Sequence, residues 1–116
     1  MTNHYVENRP WGSFEILLDK ETHKVKTLTV LPKKRLSLQS HTRRNENWVI
    51  AAGQAYVQID DEFLILDKGQ HVYIPVGTKH RLENRGNENL VVVETQTGDY
   101  FGEDDIARYA DDFQRT

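Results

Sequence analysis

The 116-residue sequence predicts an all-β protein, a sandwich or barrel of short strands, followed by one short C-terminal helix. Apolar runs recur about every ten residues from Trp11 onward, and turn-forming residues separate them, which is the pattern of an all-β domain. Apolar residues at helical spacing occur in the last segment, which predicts the helix. The length allows a single domain over residues 1–116 with one hydrophobic core.

The elements follow from these signals in order. Residues 1–10 are polar and end in a proline, so they are predicted to form an arm. Strands are predicted at residues 12–18, 24–30, 35–39, 46–52, 54–60, 62–66, 71–74, 80–84 and 89–96. Residues 103–113 are predicted to be helical because acids fill the first turn and apolar residues follow at helical spacing, at Ile106, Tyr109, Ala110 and Phe113.

Composition restricts the function classes. The net charge is −3 with no long block of one sign, so nucleic acid and membrane surfaces are not expected as partners. The polar start and the lack of a long apolar run predict a cytoplasmic protein without a signal peptide. Because the chain has no cysteine, any metal ion must be bound by imidazole, carboxylate, amide or water.

Four polar residues form a candidate metal site: Gln39, His41, Glu46 and His80. Gln39 and His41 are two positions apart, so a strand would point both to one face. Glu46 follows after a short turn, and a second predicted hairpin could bring His80 to the same point. Two imidazoles, a carboxylate and an amide oxygen suit a divalent ion with open positions.

Considered alone, His41 or His80 would be interpreted as an ordinary hydrogen-bonded histidine that binds no metal. This is the interpretation for His4, His23 and His71. Alternation along residues 35–41 places Gln39 and His41 on a polar inner face, and Leu36 and Leu38 on an apolar outer face toward a second sheet or a partner subunit. Inward polar groups must be satisfied, and a metal ion with its waters would do this.

The spacing resembles the cupin family. Its first motif is matched by Gln39, His41, Glu46 and Gly53, and its second, G-x5-P-x-G-x2-H-x3-N, by Gly69, Pro75, Gly77, His80 and Asn84. Gln39 replaces the usual first histidine, and a Gln-x-His pair is the form found in cupin phosphomannose isomerases. The resemblance implies a jelly-roll barrel, a double-stranded β-helix, with one metal ion bound by these ligands.

Further segments sharpen the resemblance. RPWGSFE, KVKTLTV, RLSLQ, YIPVGTKHRLEN and GEDDIARYADDF occur in that order across nearly the whole chain. Together they resemble the C-terminal isomerase domain of bifunctional mannose-6-phosphate isomerase/mannose-1-phosphate guanylyltransferase proteins. The resemblance implies a metal-dependent mannose-6-phosphate isomerase, whereas the nucleotide-binding half of those proteins has no counterpart in this sequence.

Catalytic roles are predicted for three further residues. Lys26 matches an active-site lysine that meets the anionic substrate in phosphomannose isomerases, although a lysine at the barrel rim is an equal alternative. Arg108 matches an arginine that closes the pocket in relatives, and its alternative is an exposed helix charge. Glu94 interrupts an apolar run and is the first choice for the general base, with His80 or a metal-bound hydroxide as alternatives.

Three positions depart from the relatives: Thr42, Arg43 and Asn47 replace imidazoles beside the ligands. These changes favour a rival function, a non-catalytic sugar-phosphate-binding or regulatory cupin. The sequence also leaves open an isomerase of another phosphosugar and a dioxygenase, although dioxygenases generally use more imidazole around iron. The expected cofactor is one divalent ion, zinc first and manganese, cobalt or nickel next, and the expected partners are a phosphosugar and a second copy in a homodimer.

Overall fold

The computed structural model describes residues 4–113. These residues include no helix with the length and apolar character needed to cross a membrane. Eleven strands make up the regular structure: β1 (Tyr5–Arg9), β2 (Gly12–Asp19), β3 (His23–Val30), β4 (Leu38–Ser40), β5 (Arg44–Ala52), β6 (Ala55–Ile59), β7 (Glu62–Leu66), β8 (His71–Ile74), β9 (His80–Glu83), β10 (Leu90–Gly98) and β11 (Ala107–Ala110).

The strands form two antiparallel sheets. One sheet has six strands in the order β1-β2-β3-β10-β5-β8, and the other has five in the order β11-β4-β9-β6-β7. Buried apolar side chains from both sheets form a shared core between them, including Leu28 and Ile50 from the first sheet and Val57 and Leu82 from the second. The all-β prediction is confirmed, and the nine predicted strands correspond to β2 to β10.

The interior between the sheets has a polar half and an apolar half. Strands β3, β5 and β10 bury alternate residues, and the buried residues are polar at one end of each strand and mainly apolar at the other. The polar ones are Lys24, Lys26, Arg44, Glu46, Glu94 and Gln96. Register aligns them across the sheet, with Gln96 opposite both Lys24 and Glu46. The candidate site lies in this polar half.

The predicted N-terminal arm is wrong for the described residues. Residues Tyr5 to Arg9 form strand β1, which pairs antiparallel with β2 from Tyr5 opposite Ile16 to Arg9 opposite Gly12. The strand is polar because it is the edge of its sheet and has little apolar surface to bury.

The predicted C-terminal helix is also wrong. Within residues 103–113 the chain forms strand β11, which pairs with β4. The Ser40 and Tyr109 hydroxyl groups lie 2.8 Å apart across this pair. A pattern of four apolar residues is a weak helix signal, and pairing with the exposed edge of β4 overrides it because it satisfies backbone groups on both strands.

Residues 35–41 do not keep the alternation that the sequence predicts. Only Leu38–Ser40 is a regular strand, and Arg35 makes an isolated bridge to Glu83. Leu36, expected on the outer face, packs against the core and lines the same cavity as Gln39. The backbone at Leu36 donates to the carbonyl of Leu82 on β9, but regular pairing of β4 with β9 is limited to Gln39 opposite His80, so the strict period of two is lost.

Candidate metal and substrate site

Three of the four predicted ligands meet in the polar half of the barrel. His41, Glu46 and His80 are each at most 3% exposed, and their ligand atoms all lie within 4.8 Å of one another. The Nε2 atom of His41 is 3.1 Å from one oxygen of Glu46, and the Nε2 atom of His80 is 3.6 Å from the other. Atoms bound to one zinc ion at about 2.1 Å lie about 3 to 4 Å apart, so these separations fit a shared ion.

Both imidazole rings are oriented by backbone carbonyl groups. The Nδ1 atom of His41 donates to the carbonyl of Asp105 at 2.6 Å, and that of His80 donates to the carbonyl of Thr78 at 2.9 Å. A carbonyl oxygen only accepts, so Nδ1 carries a proton in each ring, and Nε2 is the ring atom that turns toward Glu46 and is available to a metal ion. This is the arrangement in which metal-binding histidines are held.

Two Nε2 atoms therefore face one carboxylate. An unprotonated ring nitrogen and a carboxylate oxygen repel at this distance, so a metal ion or a second ring proton must lie between them. Burial lowers the pKa of His80, although the charge of Glu46 opposes this shift, so a second proton is disfavoured there. Burial would raise the pKa of Glu46, but the neighbouring His41, His80 and Arg44 hold it well below its usual range. The residues present thus fit a divalent cation.

Arg44 supplies positive charge to the same acceptors. Its Nε and Nη2 atoms each lie 2.9 Å from one oxygen of Glu46, and Nη2 is 3.3 Å from Nε2 of His41. Burial would lower the pKa of Arg44, but the neighbouring Glu46, Glu94 and Glu103 carboxylates raise it, so it stays charged.

Gln39 lies beside the three-residue cluster but is held differently. It is the register partner of His80 and lines the same cavity as His41. Its amide nitrogen donates to the hydroxyl of Ser37 at 3.0 Å. This bond fixes the amide nitrogen but does not show that the amide oxygen, the predicted ligand atom, faces the cluster. The role of Gln39 as the fourth ligand therefore stays a prediction.

Glu94 is joined to the cluster through the indole of Trp48. The Nε1 atom of Trp48 donates to Glu46 at 3.0 Å and to Glu94 at 3.1 Å. Burial raises the pKa of Glu94 to about 7, reinforced by the charge of Glu46, while the charges of Lys26 and Arg44 and a hydrogen bond from Gln96 pull it down. Glu94 therefore exchanges a proton near neutral pH.

A cationic cavity adjoins these groups. Its lining includes Arg9, Lys26, Arg44 and Arg108, together with Glu94 and Glu103. Lys26 is 3% exposed and points inward, with its Nζ atom 2.6 Å from Glu103. Arg108 lies on β11 instead of the predicted helix, and it too lines the cavity. The structure thus brings together all the residues to which the sequence assigned catalytic or substrate-binding roles.

Sequence reasoning missed four residues of this site: Arg9, Arg44, Trp48 and Glu103. Strand parity with Glu46 was a usable signal for Arg44 and Trp48, which lie two residues before and after it. The sequence placed Arg9 in an arm and Glu103 in a helix, so it did not predict that either side chain points into the cavity. Their positions depend on the pairing of β1 with β2 and of β11 with β4.

The three departures from the relatives lie outside the cavity. The Thr42 hydroxyl and backbone nitrogen both donate to the Asp105 carboxylate, at 2.8 and 3.0 Å, and the Arg43 nitrogen donates to its other oxygen at 2.9 Å. Asn47 is on the opposite face of β5 from the buried Glu46 and Trp48. Asp105 also orients His41 through its carbonyl, so Thr42 helps to hold a candidate ligand in place.

Comparison with known proteins decides the family. The family model described as "Mannose-6-phosphate isomerase C-terminal" matches residues 1–111. The chain belongs to this family. A xanthan biosynthesis protein, XanB, of Xanthomonas campestris pv. campestris is 44% identical over 115 residues, which is 99% of this chain and 25% of that protein. The chain therefore spans about a quarter of that relative's length.

Solved structures agree on the fold of this isomerase-family domain. The capsular polysaccharide assembling protein CapF of Staphylococcus aureus matches with a TM-score of 0.82 and 20% identity, over 95% of this chain and 33% of that one. A Klebsiella pneumoniae protein with a double-stranded β-helix domain matches with a TM-score of 0.72 and 18% identity, over 81% of this chain and 80% of that one. The cupin fold predicted from the two motifs is confirmed.

Proposed function

We propose that this chain is a metal-dependent isomerase domain that interconverts mannose 6-phosphate and fructose 6-phosphate. One observation carries the proposal: His41 and His80 both turn Nε2 toward Glu46 in a barrel whose adjoining cavity is lined with cations. An aldose–ketose isomerase of a phosphosugar needs a Lewis acid, a base and an anion-binding group, and the polar half offers candidates for each. Membership of the isomerase family supports the same substrate class.

The metal would be held by His41, Glu46 and His80, with Gln39 as the proposed fourth ligand. Zinc is the first choice for this nitrogen and oxygen set, and manganese, cobalt and nickel are alternatives. When bound, the ion would polarise the carbonyl and hydroxyl oxygens of the sugar.

Glu94 is the proposed base. As a carboxylate it would remove the proton from C2 of mannose 6-phosphate, and the C–H electron pair would form the C1–C2 double bond of a cis-enediol while O1 gains a proton. Returning the proton to C1 and releasing the proton of O2 would give fructose 6-phosphate. A pKa of about 7 suits a group that must both accept and return this proton.

Lys26 and Arg108 are proposed to bind the phosphate, because both cations line the cavity beside Glu94. The rival function, a sugar-phosphate-binding cupin without turnover, depended on Thr42, Arg43 and Asn47. Since Thr42 and Arg43 bond to Asp105 and Asn47 faces away from Glu46, these changes leave the cavity lining intact.

The test is a coupled assay of chelator-treated protein with mannose 6-phosphate, before and after addition of zinc, cobalt or manganese. We expect metal-dependent turnover that is lost in His80→Ala and retained in His71→Ala, since His71 is an exposed histidine on β8. Binding of mannose 6-phosphate by the metal-loaded protein without turnover would establish the rival function instead.

A further inference from the structure

The carboxylate of Glu103 is surrounded by cations at the edge of the cavity. Its Oε2 atom lies 2.6 Å from Nζ of Lys26, 3.8 Å from Nζ of Lys24 and 3.9 Å from Nη1 of Arg44. The Glu103 side chain is 40% exposed, whereas those of Lys26 and Arg44 are 3% and 6% exposed. Three buried cations thus point toward one carboxylate that solvent reaches.

The Glu103 carboxylate does not supply a hydrogen-bond acceptor to every donor of these cations. The Nη1 atom of Arg44 is buried and makes no hydrogen bond within residues 4–113, although the other nitrogens of Arg44 bind Glu46. A buried donor without a hydrogen-bond partner is unfavourable and indicates a position where a further acceptor can bind. A phosphate has more acceptor oxygens and more negative charge than the carboxylate of Glu103.

The backbone on both sides of Glu103 is anchored, which leaves its side chain as the part that can move. The carbonyl of Phe101 accepts a bond from Lys24 at 3.2 Å, and the Asp105 carboxylate accepts bonds from Thr42 and Arg43. Glu103 lies between these anchors in a segment without regular structure. Its long side chain can therefore swing outward without unfolding the segment.

We propose that Lys24 and Arg44 join Lys26 in an anion subsite for the phosphate of the substrate, and that Glu103 occupies this subsite until a phosphate displaces it. The identity of the phosphate carrier rests on the proposed function, but the subsite itself does not. Glu103 is then a specificity-determining residue: an uncharged sugar cannot replace its charge, so the free hexose is excluded while the phosphosugar is admitted.

The test uses inorganic phosphate as the probe and calorimetric titration of the full chain. Glu103→Gln removes the competing charge and should tighten phosphate binding at least about tenfold, since a charge-assisted hydrogen bond no longer has to be displaced. Asp104→Asn is the matched control. It removes the same charge from the neighbouring residue, whose carboxylate bonds to the Tyr100 hydroxyl and not to the three cations. An unchanged or weaker affinity in Glu103→Gln, or an equal gain in Asp104→Asn, overturns the proposal.

A second measurement avoids substitution. With Glu103 labelled at the side-chain carboxyl carbon, phosphate should shift its resonance toward that of a solvated carboxylate in the wild-type chain, and an unmoved resonance at saturating phosphate overturns the proposal. The two hypotheses fail separately. Tighter phosphate binding in Glu103→Gln without turnover in the wild type refutes only the isomerase, whereas turnover in the wild type without that gain refutes only the subsite.

Discussion

Glu46 and Glu94 share the indole proton of Trp48, yet their surroundings shift their pKa values in opposite directions. Burial would raise the pKa of both, but Glu46 also faces His41, His80 and Arg44, which lower its pKa strongly. For Glu94 burial and the charge of Glu46 prevail and raise the pKa to about 7. One carboxylate thus remains charged, as a metal ligand would have to be, and the other can exchange protons, which is how neighbouring acids take different roles.

Glu94→Gln should abolish the proton transfer and lower turnover by about 10² to 10⁴ in the coupled assay. It should also change the pH dependence of stability. The folded pKa of Glu94 is raised, so the folded state binds more protons than the unfolded state between pH 4.5 and about 7, and wild-type stability falls as pH rises through this window.

Urea unfolding in chelator at pH 5 and pH 8 measures this effect. Glu94 should make the free energy of unfolding of the wild type larger at pH 5 than at pH 8 by on the order of 3 kcal/mol, and Glu94→Gln should lack this difference. Glu88→Gln, an exposed loop position, is the control and should behave as the wild type. Equal pH dependence in Glu94→Gln and wild type would contradict the assignment.

Arg44→Met tests whether Arg44 and a metal ion serve the same acceptors. Removing one partner of a buried ion pair costs about 3 to 5 kcal/mol, so the metal-free variant should unfold at much lower urea than the wild type. Added zinc should restore much of the loss, because its charge would neutralise Glu46. Arg43→Met, an exposed neighbour, should lose little in either condition, and a zinc-independent loss in Arg44→Met would count against the metal site.

At the level of elements, the sequence was informative wherever a strand's own alternation decides which residues face inward. The inward positions of Lys26, Glu46 and Glu94 could be inferred in this way, because each shares parity with buried residues of its strand. The same reasoning failed for β11, where pairing with β4 determines the structure, and for Leu36, where the ladder is interrupted. Glu103 could not be placed because its segment has no period.

The segment before β11 is fastened by Asp105 to residues 41–43, the turn between β4 and β5, and the Asp105 carbonyl holds the His41 ring. Asp105→Asn should weaken the bonds to Thr42 and Arg43, loosen His41 and reduce zinc affinity about tenfold, as for other groups that orient ligands. A competition titration with a chromophoric zinc chelator measures the affinity. Asp104→Asn should leave it unchanged, and a normal zinc affinity in Asp105→Asn would show that His41 is held without this anchor.

At the level of the whole molecule, the β7 edge carries the most exposed large apolar side chain of the described residues, Phe63. Strand β7 is the last strand of the five-stranded sheet, and its Phe63 and Ile65 side chains are 71% and 56% exposed. The surface first expected to pair, Leu36 with Leu38, is a poorer candidate because Leu36 packs inward. An apolar edge strand is prone to pair with another chain.

We therefore expect a homodimer that pairs through β7. Sedimentation equilibrium should give the dimer mass for the wild type and the monomer mass for Phe63→Lys, whose added charge opposes edge pairing. Tyr73→Lys, a half-exposed position on β8 at the edge of the other sheet, is the control and should stay dimeric. Dissociation by the β8 change alone would move the interface to the opposite edge.

The division of the barrel interior into a polar and an apolar half has an evolutionary consequence. Folding depends chiefly on the buried hydrocarbon at one end of the long strands, while the reactive groups are confined to the other. A duplicated gene for this domain can therefore acquire a new substrate or reaction through a few replacements around one opening, and its descendants keep the same scaffold throughout.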